Sequence, residues 1–188
     1  MIPRVGVLAL QGDFEAHRKA LERAGAEAVE VRTASQLDSL GGLVIPGGES
    51  STMLKLLDAE NLFEPLRQFG LRKPILGTCA GAILLAARVT NPGQKSLELV
   101  DIEIERNAYG RQLDSRVAHL EPDGVEAVFI RAPIIRRVGP GVKVLARYNG
   151  DPVLVEAGRH LAATFHPELS DDTRVHALFL SKAICYPR

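Results

Sequence analysis

Cysteine is nearly absent from this chain, with Cys79 and Cys185 the only two in 188 residues. Two thiols so far apart make no disulfide framework, and nothing in the pattern asks for an oxidising compartment. An excess of either charge is missing too, since Lys plus Arg and Asp plus Glu each number 23. Nucleic-acid binders and polybasic membrane-surface proteins ordinarily carry a basic surplus, so neither a nucleic-acid nor a membrane partner is expected. Long apolar runs are absent. The first, Val5-Gly6-Val7-Leu8-Ala9-Leu10, is too short to span a bilayer and lacks the charged and cleavage regions of a signal peptide. It reads as a buried strand, and the protein as cytoplasmic. No Cys/His cluster has zinc spacing, and no metal or cofactor is expected. Without repeats, low-complexity tracts or linkers, residues 1–188 are expected to form one domain.

What the sequence has is ordinary globular composition, 46% hydrophobic and 24% charged, in an alternation of short apolar runs and amphipathic stretches. Strands are expected at 4–10, 28–31, 42–46 and 74–76, and helices at 13–23, 50–57, 62–69 and 80–88. Gly25 suits the left-handed residue that ends the first helix. From Leu97 the texture changes to strand-like pieces at 97–105, 125–131, 142–147, 152–156 and 161–165, with a closing helix over 173–184. The fold class is α/β: a mostly parallel sheet flanked by helices, with antiparallel strands added in the second half.

The feature richest in chemistry is Gly77-Thr78-Cys79-Ala80-Gly81, between an apolar strand and a helix. It has the G-x-nucleophile-x-G form, in which small residues let the chain turn sharply and present the nucleophile at a helix N-terminus. The Ala80 N–H is then placed to face an oxyanion. A thiol nucleophile needs a base, and the base needs an orienting group. Two of the five histidines have a carboxylate two residues on, His119-Leu120-Glu121 and His166-Pro167-Glu168. On an extended chain that spacing points both side chains to one side. His166 follows an apolar strand, the usual location of α/β sites, which favours it without eliminating His119. His17, His160 and His176 read as structural positions in helical or surface-like contexts.

Pro46-Gly47-Gly48-Glu49-Ser50 lies at the end of the third strand, where two glycines let backbone N–H groups approach a ligand. Beside a cysteine elbow it reads as a second oxyanion donor and a substrate-holding wall; alone, it is a loop with Ser50 as helix N-cap. The segment 105–112, including Tyr109, Gly110, Arg111 and Gln112, gathers ligand-type polar residues, and 129–133 ends a strand with Arg131, a residue suited to carboxylate capture. Cys185 reads as a packing or terminal residue.

With these motifs in this order, the chain resembles the class I (triad) glutamine amidotransferases, and among them the glutaminase subunits of pyridoxal 5′-phosphate synthase. The strings that carry the resemblance are Gly6 to Gly12, Pro46 to Met53, Gly77 to Gly81, Glu105-Arg106-Asn107, Tyr109 to Gln112, Phe129 to Pro133 and Phe165 to Leu169. The resemblance implies a three-layer, flavodoxin-like fold and a catalytic triad of Cys79, His166 and Glu168. It also implies glutamine contacts at Gly47, Gly48, Glu49, Arg106, Ile130 and Arg131. An oxyanion region would include Ala80, Gly48 and Gln11. The implied reaction is hydrolysis of L-glutamine through a γ-glutamyl thioester. The implied partner is a synthase subunit that receives the ammonia, with activity low until docking.

Overall fold

The computed structural model describes residues 2–108 and 116–185. Tyr109, Gly110, Arg111 and Gln112 therefore lie outside the described residues. Strands β1 (Arg4–Leu8), β2 (Glu27–Val31), β3 (Gly42–Ile45), β4 (Ile75–Thr78) and β12 (His160–Ala163) run parallel. Two antiparallel strands, β11 (Asp151–Ala157) and β10 (Val142–Tyr148), extend the sheet beyond β12. The seven-stranded order is β10-β11-β12-β4-β3-β1-β2. Short apolar strands such as β3 and β4 are buried at every residue, the signature of a parallel sheet covered on both faces.

Alternation along each strand distributes its side chains between two cores. Val5, Val7, Val44, Leu76 and Leu161 face α1 (Phe14–Arg23) and α5 (Arg174–Cys185), where Leu21, Phe179 and Leu180 meet them. Leu8, Leu43, Ile45 and Ile75 face the other way, toward α2 (Ser50–Ala59), α3 (Phe63–Gly70) and α4 (Ala80–Leu85), which supply Met53, Leu57, Leu66 and Leu84. Three layers result: helices, sheet, helices. Below the second core lies a small sheet, β5 (Ala86–Thr90), β6 (Val100–Glu105) and β9 (Ile134–Val138). A ribbon of β7 (Arg116–Leu120) and β8 (Val125–Phe129) packs on the first. Among the described residues no helix is long and apolar enough to cross a membrane.

The structure corrects the expected helix over 80–88, which stops at Leu85. The backbone turns extended at Ala86 (φ −61°, ψ 145°), and the Leu84 and Leu85 carbonyls accept from the N–H groups of Leu97 and Leu99. A tertiary hydrogen-bond partner there outcompetes an Ala- and Leu-rich helical preference. The same exchange delays the next strand to Val100. Strands β5, β7 and β9 were not among the expected elements, and β8 ends at Phe129 because Arg131 takes a left-handed φ of 47°.

Candidate active site

Four loops at the carboxyl ends of β1, β3, β4 and β12 converge, which is where open parallel sheets hold their sites. Cys79 follows β4 and is the N-cap of α4, with φ 49° and ψ −105°. That conformation is costly for a residue with a side chain, by roughly 1–3 kcal/mol, and needs a rigid surround. The surround is visible. The Cys79 N–H donates to the Ala163 carbonyl at 2.8 Å. A Cβ on Gly77 would come to 2.5 Å from the Gly81 carbonyl oxygen, and one on Gly81 to 2.0 Å from that of Ile45. Both glycines of the elbow are therefore required by close backbone approach. Cys79 is a free thiol, 5% exposed.

His166 caps the 3₁₀ turn Pro167–Leu169, and its N–H donates to the Val128 carbonyl at 2.8 Å. This bond ties β8 to the site. His166 Nδ1 lies 2.7 Å from Glu168 Oε1, and the Glu168 side chain is fully buried. Burial by itself pushes the His166 imidazole down, but hydrogen bonds and charge from Cys79 and Glu168 outweigh it and raise the group to about 10. A thiol, an imidazole and a carboxylate thus form one row, the arrangement in which an oriented base can take a thiol proton. His119 is exposed on the β7–β8 ribbon and has no place in it.

The glycine loop closes one side. A Cβ on Gly47 would stand 2.4 Å from His166 Cε1 and 3.2 Å from Cys79 Cβ, so only glycine lets the loop pass this close. Gly48 has φ 129°, and the Gln11 side chain holds its neighbour: Gln11 Nε2 donates to the Glu49 carbonyl at 3.0 Å and Gln11 Oε1 accepts from the Glu49 N–H at 3.4 Å. Glu49, not Ser50, is the N-cap of α2, accepting from the N–H groups of Ser51 and Thr52. Those bonds lower its carboxyl against the opposing effect of burial. Arg106 reaches the same lip, donating to Glu49 Oε1 at 3.2 Å and Ser51 Oγ at 2.8 Å. From the opposite side, the Ile130 carbonyl lies 4.0 Å from Cys79 Sγ. Arg131 follows, exposed.

The structure brings together Cys79, Ala80, His166, Glu168, Gly47, Gly48, Glu49, Gln11, Arg106 and Ile130. What sequence reading missed lies behind Glu168. His17 and His176, read as structural positions, are completely buried and in contact, His17 Nδ1 to His176 Nε2 at 3.0 Å. His17 Nε2 lies 3.0 Å from Thr78 Oγ1 and 3.2 Å from Glu168 Oε2. The available signal was that His17 sits in the apolar stripe of α1 with Phe14 and Leu21. Among the described residues no His, Cys, Asp or Glu group could hold a metal ion.

Known proteins agree with this architecture. The SNO glutamine amidotransferase family model matches residues 7–185. The protein named "Pyridoxal 5'-phosphate synthase subunit PdxT" from Solibacter usitatus (strain Ellin6076) is 63% identical, across 95% of this chain and 98% of its own. Its namesake from Koribacter versatilis (strain Ellin345) is 60% identical across 94% of each. A crystal structure titled as a glutamine amidotransferase superposes with a TM-score of 0.87 at 47% identity, covering 95% of this chain and 98% of that one. A family model matched along nearly the whole length, and relatives this similar over as much, lead to one conclusion: the chain belongs to the SNO glutamine amidotransferase family.

Proposed function

We propose that the protein hydrolyses L-glutamine in the cytoplasm and passes the ammonia to the synthase subunit of pyridoxal 5′-phosphate synthase. Cys79 attacks the glutamine carboxamide as His166 takes the thiol proton. The N–H groups of Ala80 and Gly48 stabilise the oxyanion, with Gln11 fixing the Gly48-Glu49 segment. Collapse of the tetrahedral adduct breaks the C–N bond, and His166 returns its proton to the leaving ammonia. A γ-glutamyl thioester remains. Water, deprotonated by His166, attacks it and releases glutamate and the thiol. Glu168 accepts from Nδ1 throughout, keeping the ring oriented and stabilising its positive charge. Gly47, Gly48, Glu49, Arg106, Ile130 and Arg131 line the pocket proposed for glutamine.

The observation that carries this reading is the strained Cys79 beside an imidazole that Glu168 holds at 2.7 Å. The acceptor is inferred from the names of the relatives, which are subunits of pyridoxal 5′-phosphate synthase. Chemistry favours a docked acceptor, because ammonia set free near neutral pH becomes ammonium and loses its nucleophilicity. The test is glutamate release from L-glutamine, with and without that synthase subunit, for wild type and Cys79→Ala. Partner-stimulated release that vanishes in the variant is the expected result. No release from wild type with the partner present would overturn the proposal.

A further inference from the structure

His17 stands outside the row of Cys79, His166 and Glu168, yet it touches two of the segments that build it. Its ring projects from α1 into the space behind β4 and is completely buried. Glu168 uses Oε1 on His166, whereas Oε2 is buried with no well-aligned hydrogen bond among the described residues; His17 Nε2, at 3.2 Å, is its polar neighbour. The same nitrogen lies 3.0 Å from Thr78 Oγ1, on the residue before Cys79. An unprotonated Nε2 would set its lone pair against a carboxylate oxygen 3.2 Å away, which favours the tautomer with the proton on Nε2, donated to Thr78 Oγ1 with its positive edge beside Glu168 Oε2. Nδ1 is then the acceptor, and His176 Nε2 donates to it at 3.0 Å. His176 Nδ1 is left as a bare lone pair, consistent with its having no hydrogen-bond partner among the described residues. Burial first, and then electrostatic repulsion from the His176 and His166 imidazoles, push His17 well below the usual histidine range.

We infer that His17 is a positioning residue: its Nε2–H fixes the Glu168 carboxylate and the Thr78–Cys79 turn in register, so that one buried side chain aligns both ends of the thiol–imidazole–carboxylate row. A carboxylate with one oxygen on an imidazole can still swing about that bond. The His17 Nε2–H dipole 3.2 Å from the other oxygen opposes the swing and holds the His166 ring on line with the thiol. The inference rests on the proposed role of Cys79, His166 and Glu168, but its test does not depend on glutamine.

Three substitutions separate position from packing. His17→Gln keeps an N–H donor at the reach of Nε2; His17→Asn sets its amide where Nδ1 stood, too short for Glu168; His17→Leu fills the space without a donor. Two readouts apply to each: partner-stimulated glutamate release, and alkylation of Cys79 by iodoacetamide in the isolated protein, mapped by mass so that Cys185 does not count. Removing the N–H that stands beside a buried carboxylate oxygen is expected to slow both by about 10-fold or more. In His17→Leu and His17→Asn, kcat falls at unchanged KM and Cys79 alkylation slows with it; His17→Gln restores both to within about 3-fold of wild type. Equal alkylation rates in all four proteins, or equal slowing in all three variants, overturns the inference. If His17→Leu does not fold, the comparison of Gln with Asn decides. Should wild type release no glutamate, the glutaminase reading fails while alkylation still judges His17.

Discussion

The Gly47 loop and the His166 ring leave no space between them for a methyl group, which makes Gly47→Ala a demanding test of the site. The added Cβ would stand 2.4 Å from His166 Cε1 and 3.1 Å from Nδ1, where ordinary contact begins at 3.4 Å. The loop cannot easily yield, because the Gly47 carbonyl already lies against Gly12, where a Cβ would come to 2.0 Å. The ring must therefore retreat by about 1 Å, against its 2.7 Å bond to Glu168. Misplacement of a catalytic group by about 1 Å costs on the order of 100-fold in rate. Overpacking at one methyl costs about 1–3 kcal/mol of stability, which leaves the protein folded. Glutamate release with the synthase subunit present should fall roughly 100-fold in kcat, while urea denaturation shows only that modest loss. Gly141→Ala is the control: nothing lies within 4 Å of its new Cβ, and activity should be unchanged. A folded Gly47→Ala protein with wild-type kcat would refute the claim that His166 must stand where the structure has it.

Further outcomes follow from the same geometry. Because Cys79 is held at φ 49°, Cys79→Gly should be more stable than Cys79→Ala by about 1 kcal/mol, the reverse of their usual order; equal denaturation midpoints would mean the elbow is not strained. Arg106→Ala removes the cation that pairs with Glu49 and Ser51 and should raise KM for glutamine about 10-fold with kcat little altered, read in the coupled assay. His160 is pushed down to about 4, by burial first and then by the Arg159 charge. Its unfolded form, near 6.5, binds a proton that the folded form refuses. Stability is therefore full above pH 6.5 and falls as the pH drops toward 4, by up to about 3 kcal/mol from this group. His160→Asn keeps an acceptor for the Ile75 N–H, which His160 Nδ1 receives at 3.2 Å. Its pH–stability curve should be shallower but not flat, since His17 and His176 are also held down by burial.

The parts of the site legible in the sequence are those that short-range geometry dictates. Gly77 is required because the turn itself brings the Gly81 carbonyl within 2.5 Å of where a side chain would begin, whereas Gly81 is required by the Ile45 carbonyl of the neighbouring β3, which would stand 2.0 Å from its Cβ. His166 and Glu168 meet two positions apart, as their spacing suggests, although the chain between them is the start of a 3₁₀ turn and not an extended strand. The Gly47-Gly48 pair announces a loop that something must approach closely. Its N-cap is Glu49 although Ser is the more usual cap residue, because Glu49 accepts from the Ser51 and Thr52 N–H groups while the Ser50 hydroxyl donates to Gln94. Residues alone left His119 open beside His166. Ribbon β7–β8 separates them in space, exposing His119 and offering the Val128 carbonyl to the His166 N–H.

The unread remainder depends on which strands lie side by side, information that no window of sequence contains. Helix α4 ends at Leu85 only because Leu97 and Leu99 return to meet its last carbonyls. His17 and His176 touch across 159 positions, brought together because α1 and α5 cover the same face of the sheet. Such long-range polar contacts impose a constraint on the core. A buried carboxylate oxygen in apolar surroundings is costly, and an apolar residue at position 17 would take away the imidazole nitrogen 3.2 Å from Glu168 Oε2. A histidine within an otherwise apolar helical stripe is therefore better explained by a charge on a segment distant in sequence than by the helix that carries it. The polar residue that interrupts an apolar face thus marks, from one end, a contact whose other end is the proposed active site.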